Sequence, residues 1–178
     1  TDLLRAAGYR TGHFGKWHVG GLPNADGITG RGVPEAFDPA PRDPGHHGFD
    51  EWFSAGNWFD RDPAAGTFWR NGRPVGALQG DTSDLVMAEA LRFIGARAAA
   101  GQPFLCVIWF PSPHGPWHAL PADRAPYAGQ ANPDFLGEMA AVDRAMGRLR
   151  AELRRLGVHQ DTLVWFNSDN RSEEHTSE

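Results

Sequence analysis

Phe104-Leu105-Cys106-Val107-Ile108-Trp109-Phe110 is an unbroken apolar run of strand length, closed by Gly101-Gln102-Pro103 before it and Pro111-Ser112-Pro113 after it. A strand that is apolar on both faces suits the interior of a sheet covered by helices on both sides. The flanking segments agree. Upstream, Asp81-Thr82-Ser83-Asp84 is a cluster of helix N-cap residues, and Met87, Leu91 and Ile94 then recur on one face, which predicts a helix over 83–99. Downstream, Asn132-Pro133 marks a second helix start, with Asn as cap and Pro in the first turn. Phe135, Met139, Val142, Met146, Leu149, Leu153 and Leu156 follow at alternating gaps of 4 and 3, and Gly157 ends the run. That stripe predicts a helix laying a narrow face on a sheet, with Arg144, Arg148, Arg150, Arg154 and Arg155 as its solvated side. Thr162-Leu163-Val164-Trp165-Phe166 reads as another buried strand, ending in Asn167-Ser168-Asp169-Asn170. The order is that of an α/β domain with a mostly parallel sheet flanked by helices.

Toward the N-terminus, residues 2–7 read as the tail of a helix capped by Gly8, and 9–14 as a strand leading into Gly15-Lys16-Trp17-His18-Val19-Gly20. An amine and an imidazole two positions apart, among glycines that permit close backbone approach, suit an oxyanion such as sulfate or phosphate. The two point to the same side only if the segment is extended. A Gly-rich turn with Trp17 packed and Lys16 solvated fits the same residues. From 20 to 73 the composition turns to Gly, Pro, Asp and Asn, which predicts a long irregular segment of functional use. Within it, His46-His47 has no Cys, Asp or Glu at a convincing metal-ligand spacing and is expected to take a surface or loop-packing role. Trp52, Phe53, Trp58 and Phe59 are expected to form a small separate core there, with a sugar-stacking rim as the alternative.

The 178 residues suffice for one domain that buries roughly 70% of its unfolded surface. A net charge of -5 with 22% charged residues calls for neither nucleic acid nor an anionic membrane as partner. No run of eighteen apolar residues is present, so no membrane span is expected, and no signal peptide is visible at Thr1. The one cysteine, Cys106, excludes an intrachain disulfide and reads as a small apolar residue in a buried strand.

The segment from Leu3 to Gly20, which contains Gly8-Tyr9-Arg10-Thr11-Gly12-His13-Phe14-Gly15-Lys16-Trp17-His18, closely resembles the second signature of the sulfatase family. Pro113-His114-Gly115-Pro116, the run from Thr162 to Asn170, and Gly48-Phe49-Asp50-Glu51-Trp52-Phe53 fit that family in the same order. The resemblance spans 1–170 and implies part of a sulfatase catalytic domain with an alkaline-phosphatase-like sandwich, incomplete in this chain. It implies a sulfuric ester hydrolase acting on a sulfated small molecule or carbohydrate by a metal-assisted formylglycine mechanism. Lys16 would contact the sulfate, His18 would hydrogen-bond the formylglycine hydroxyl, and His114 would act as general acid. Asp169 and Asn170 would be metal ligands, their oxygens suiting Ca²⁺ or alternatively Mg²⁺. Val107, Ile108, Trp109 and Phe110 follow Cys106, so it does not stand in the Cys-x-Pro-x-Arg signature, and the formylglycine must come from a cysteine outside these residues. Family habit implies periplasmic or extracellular action.

The chain begins without Met inside an apparent helix, which predicts an internal fragment inactive by itself. Residues 171–178, Arg-Ser-Glu-Glu-His-Thr-Ser-Glu, match one reading frame of a common DNA-sequencing adapter and are expected to be non-native. Two other functions stay open on the sequence. One is a phosphodiesterase or phosphonate ester hydrolase of the same superfamily, and the other is a non-catalytic glycan-binding protein with Trp stacking platforms.

Overall fold

The computed structural model describes residues 1–19, 22, 43–56 and 68–168. Asp169, Asn170, Trp58, Phe59 and the 171–178 tail lie outside them. A short helix, α1 (Asp2–Ala6), leads through Gly8 at φ +88° into β1 (Arg10–Lys16). This strand is the middle one of the three parallel strands. β2 (Glu51–Ala55) and β5 (Phe104–Trp109) run parallel to it on either side, placing Gly15 beside Ser54 and Trp109. β3 (Phe68–Arg70) and β4 (Arg73–Pro74) add to β2 as an antiparallel hairpin, giving the order β4-β3-β2-β1-β5. The sheet is therefore mixed, with its parallel part confined to three strands.

Period-2 alternation sends neighbouring residues of β1 to opposite faces. Phe14 joins the main core with Phe53 and Phe68, under Val86, Met87, Ala90, Phe93 and Ile94 of α2 (Thr82–Ala99). Ala145, Leu149 and Leu153 of α4 (Pro133–Arg155) complete that cluster. The Phe53 and Phe68 rings stack with centroids 4.5 Å apart, and each fully buried Phe contributes roughly 1.5–3 kcal/mol. On the other face His13, Trp17 and Trp52 lie beneath Phe49 and Leu22.

The N-cap cluster works as its residue types require. The Asp81 carboxylate accepts from the backbone N–H groups of Ser83 at 2.8 Å and Asp84 at 3.2 Å, holding the first turn of α2. Asn132 does occupy the cap position of α4, but at φ +53° its side chain makes no capping bond. The stripe on α4 is also displaced in its first half. Met139 is 43% exposed, whereas Gly137 and Glu138 face inward. The helix packs on α2 and on the 121–127 segment more than on the sheet. Its arginines take part: Arg144 binds both Asp84 and Asp123, and Arg148 reaches Asp84 at 3.1 Å. These two side chains tie α4 to α2 and to α3 (Pro121–Arg124) instead of standing free in water.

Three more sequence expectations are corrected, for residues 51–55, 162–166 and 104–109. Residues 51–55, expected to be loop with a separate aromatic core, form β2, which sends Phe53 into the main core and Trp52 to the opposite cluster. Thr162 to Phe166, expected as a buried strand, joins no sheet pairing, and Leu163, Trp165 and Phe166 are 87, 80 and 67% exposed. Apolar content favours burial, but a strand also needs a neighbouring backbone to satisfy its N–H and C=O groups. Correspondingly, among the described residues β5 lies at the edge of the sheet and is half-buried rather than interior.

Candidate active site

Lys16 is the last residue of β1, at the C-terminal end of the parallel strands. Its strand neighbour is Ala55, and the following N–H groups continue the attachment: Trp17 donates to Ala55 O at 2.8 Å and His18 to Gly56 O at 3.0 Å. Trp17 is buried, packing against Trp52 and Leu22 and stacking near Trp109 at 6.2 Å. Lys16 and His18 are both half-buried. His18, however, adopts φ +44°, so the chain leaves the extended form after Lys16, and the simple two-residue alternation expected for the pair does not extend through His18.

Gly15 has a use different from the expected close approach to a ligand. It sits at φ +111°, and a Cβ there would overlap the backbone carbonyl of Trp109 on β5. Its missing side chain lets β1 and β5 close together immediately before Lys16.

β5 ends at Trp109, and the chain turns through buried Pro111 and Ser112 to His114, which is exposed. The parallel pairing of β1 with β5 brings the Lys16 strand end and the His114 loop to the same end of adjacent strands. That end is where parallel α/β sheets place their ligands. His114 N donates to Pro111 O at 3.2 Å, and its Nδ1 lies 2.8 Å from Gly115 O. A carbonyl only accepts, so Nδ1 carries a proton in this contact. The loop closes on itself through Trp117 Nε1, which donates to Pro113 O at 2.9 Å.

Two residues beside this site escaped the sequence reading. Glu138, 2% exposed on α4, accepts the backbone N–H of His118 at 2.6 Å, and its signal was a lone acid inside an apolar stripe. His13 is fully buried in β1, its Nδ1 2.7 Å from Ser54 Oγ and its ring wedged edge-on against Trp17, Phe49 and Trp109. Burial pushes its pKa from 6.5 down to about 3, so it is a neutral structural imidazole at ordinary pH.

No group of three or more His, Cys, Asp or Glu side chains among the described residues could hold a metal ion. His46 instead pairs with Asp43 at 2.8 Å, and His47 packs on the Trp17 ring, which agrees with their expected packing role. A hollow of about 350 Å³ lined by Asp43, His46, Asp50 and Asn71 lies at the opposite end of the sheet, where β1 and β2 begin. Its Asp50 is taken up by Thr11 and Arg5.

Known proteins resemble this chain over most of its length. The family model described as Sulfatase matches residues 1–175. N-acetylgalactosamine-6-sulfatase of Canis lupus familiaris is 27% identical over 186 residues, covering 95% of this chain and 32% of the relative. The ulvan-active sulfatase of Formosa agariphila is 23% identical, covering 94% of this chain and 34% of the relative. Among solved structures, the putative sulfatase yidJ from Bacteroides fragilis superimposes with a TM-score of 0.68 at 18% identity, covering 89% of this chain and 40% of that one. BT4656 in complex with D-glucosamine-2-N,6-O-disulfate gives a TM-score of 0.62 at 16% identity, with coverages of 88% and 46%. The chain thus spans about a third of the length of the curated relatives it matches. The α/β fold is that of the alkaline-phosphatase-like sulfatases.

Proposed function

The chain belongs to the sulfatase family, and from that premise we propose that the protein is a sulfuric ester hydrolase acting on a sulfated carbohydrate. The observation that carries the reading is the meeting of the Lys16 strand end and the His114 loop on adjacent parallel strands. The carbohydrate class is supported by the relatives named for N-acetylgalactosamine 6-sulfate and ulvan, and by the neighbour solved with disulfated glucosamine.

In this reading the Lys16 ammonium attracts the sulfuryl oxygens, where negative charge must be balanced during transfer. His18 holds the nucleophile's hydroxyl. His114, with Nδ1–H committed to Gly115 O, delivers a proton from Nε2 to the departing alkoxide. Formylglycine, from a cysteine outside these residues, would supply the hydroxyl nucleophile, and a divalent cation would neutralise charge at the sulfuryl group. Asp169 and Asn170 offer a carboxylate and an amide oxygen, a donor set suited to Ca²⁺, although both lie outside the described residues. The place of action proposed from the family is the periplasm or cell exterior; no helix among the described residues is long and apolar enough to cross a membrane.

The test is desulfation by the polypeptide read from the extended open reading frame, provided with the Cys-x-Pro-x-Arg segment. Sulfate released from sulfated galactosamine or an ulvan oligosaccharide, and lost in the His114→Ala variant, is the expected result. Faster hydrolysis of a phosphate diester than of any sulfate ester would replace this reading with the phosphodiesterase alternative. Glycan binding without turnover, equally strong for desulfated glycan, would replace it with the binding-protein alternative.

A further inference from the structure

We propose that Glu138 is a positioning residue, whose carboxylate fixes the loop carrying His114 by holding the backbone of His118. This deepens the reading above and rests on His114 serving the sulfate ester.

Three features of the fold converge on the loop. The first is chemical. A carboxyl group 2% exposed on an otherwise apolar helix face is costly to bury without compensation, and at Glu138 part of that compensation is the His118 N–H at 2.6 Å. A hydrogen bond to a carboxylate is roughly twice as strong as a neutral one, so the loop is held where it meets α4. The second is steric. A Cβ at Gly137 would come within 2.6 Å of Ala119 Cβ and 3.2 Å of Arg124 N, so the helix approaches the 119–124 segment closely at that point. The third is aromatic. Trp117 packs edge-on against Phe135 of α4 at 5.3 Å and returns its Nε1–H to Pro113 O.

His114 therefore sits within a loop closed from Pro113 to Trp117, and the residue after that closure is the one bonded to Glu138. The first turns of α4 meet the 117–124 segment through residues 135, 137 and 138. Loss of the carboxylate leaves Trp117 as an anchor but frees the backbone at 118, and the freedom passes four residues back to the imidazole.

The experiment compares this chain with Glu138→Gln, which keeps an acceptor oxygen, and Glu138→Leu, which keeps most of the volume but no acceptor. Amide exchange at His118 and the ring ¹⁵N shifts of His114, which report its tautomer, are read without added anion. The Gln variant is expected to match the parent in both. The Leu variant is expected to exchange about 10-fold faster or more at His118 and to lose the fixed Nδ1–H form of His114, while exchange at Phe14 and Ile94 in the core is unchanged. Unaltered His118 exchange and His114 shifts in Glu138→Leu would overturn the proposal. If that variant does not fold, His118→Pro removes the donor from the loop side and His114 is read in the same way. Inorganic sulfate is then titrated. A parent chain whose Lys16 and His114 signals ignore sulfate counts against the anion reading alone, because the anion-free data have already decided the role of Glu138.

Discussion

His13 Nδ1 and Ser54 Oγ lie 2.7 Å apart on adjacent parallel strands, both side chains fully buried. The pair gives β1 and β2 a polar contact within an aromatic layer, and it sets a pH dependence. Because burial holds His13 at a pKa of about 3 against 6.5 when unfolded, the folded chain binds fewer protons between those values. The stabilising contribution is complete above pH 6.5 and is lost progressively as the pH falls below it toward about 3. Urea unfolding at pH 7, 6, 5 and 4 should show this decline. His13→Phe should flatten it while weakening the protein at pH 7, where Ser54 loses its partner. An equally steep decline in the variant would assign the acid sensitivity elsewhere.

Gly15 admits no side chain. With φ at +111° and the Trp109 carbonyl in the place of a Cβ, Gly15→Ala must either strain the backbone or part β1 from β5. A loss of about 3 kcal/mol or more is expected from denaturant midpoints. Gly95, which lies inside α2 with open space around its would-be Cβ, is the control: Gly95→Ala should stabilise by up to about 1 kcal/mol.

The Cys106 thiol is pushed well above its usual pKa by burial, although the residue as a whole is only half-buried on its edge strand. The folded chain should therefore react slowly with a disulfide reagent at pH 8 and release one equivalent of thiol only on denaturation. Rapid stoichiometric reaction in buffer would mean that β5 opens readily.

The chain of 178 residues should not hydrolyse an aryl sulfate above background, because its single cysteine is not in the nucleophile signature. His114-dependent turnover by the purified chain would remove formylglycine from the account. In the polypeptide that carries the signature, His114→Ala is expected to lower kcat by about 100-fold or more, with less effect on KM.

Periodicity and caps made α2, α4 and the Phe104–Trp109 strand legible, because each signal arises within one element and needs no distant partner. β2 was not. Glu51-Trp52-Phe53-Ser54-Ala55 places adjacent aromatics on opposite sheet faces, and only its pairing with β1 gives both of them a core to enter. The run at 162–166 erred in the other direction, since apolar residues state a preference for burial without naming the strand that would cover them. At the site, Lys16 and His114 could be read as strand-end residues, and their common sheet end follows from β1 pairing with β5. Glu138 was hidden because an acid between Phe135 and Val142 looks like an interruption of the stripe until its partner, a backbone N–H twenty residues earlier, is in view.

The two borders of the sheet are unlike. β4 is two residues long and ends in Pro74, which has no N–H to offer, so that border discourages further pairing. β5 is six residues long and, among the described residues, bonded only to β1, with exposed Trp109 at its end. Among the described residues the sheet consequently has one border open to pairing, beside Cys106 and Ile108, on the flank of the His114 loop and away from the hairpin. At high concentration, that makes the β5 border the vulnerable one, and a charged residue placed there would guard it without touching the packing around Phe14.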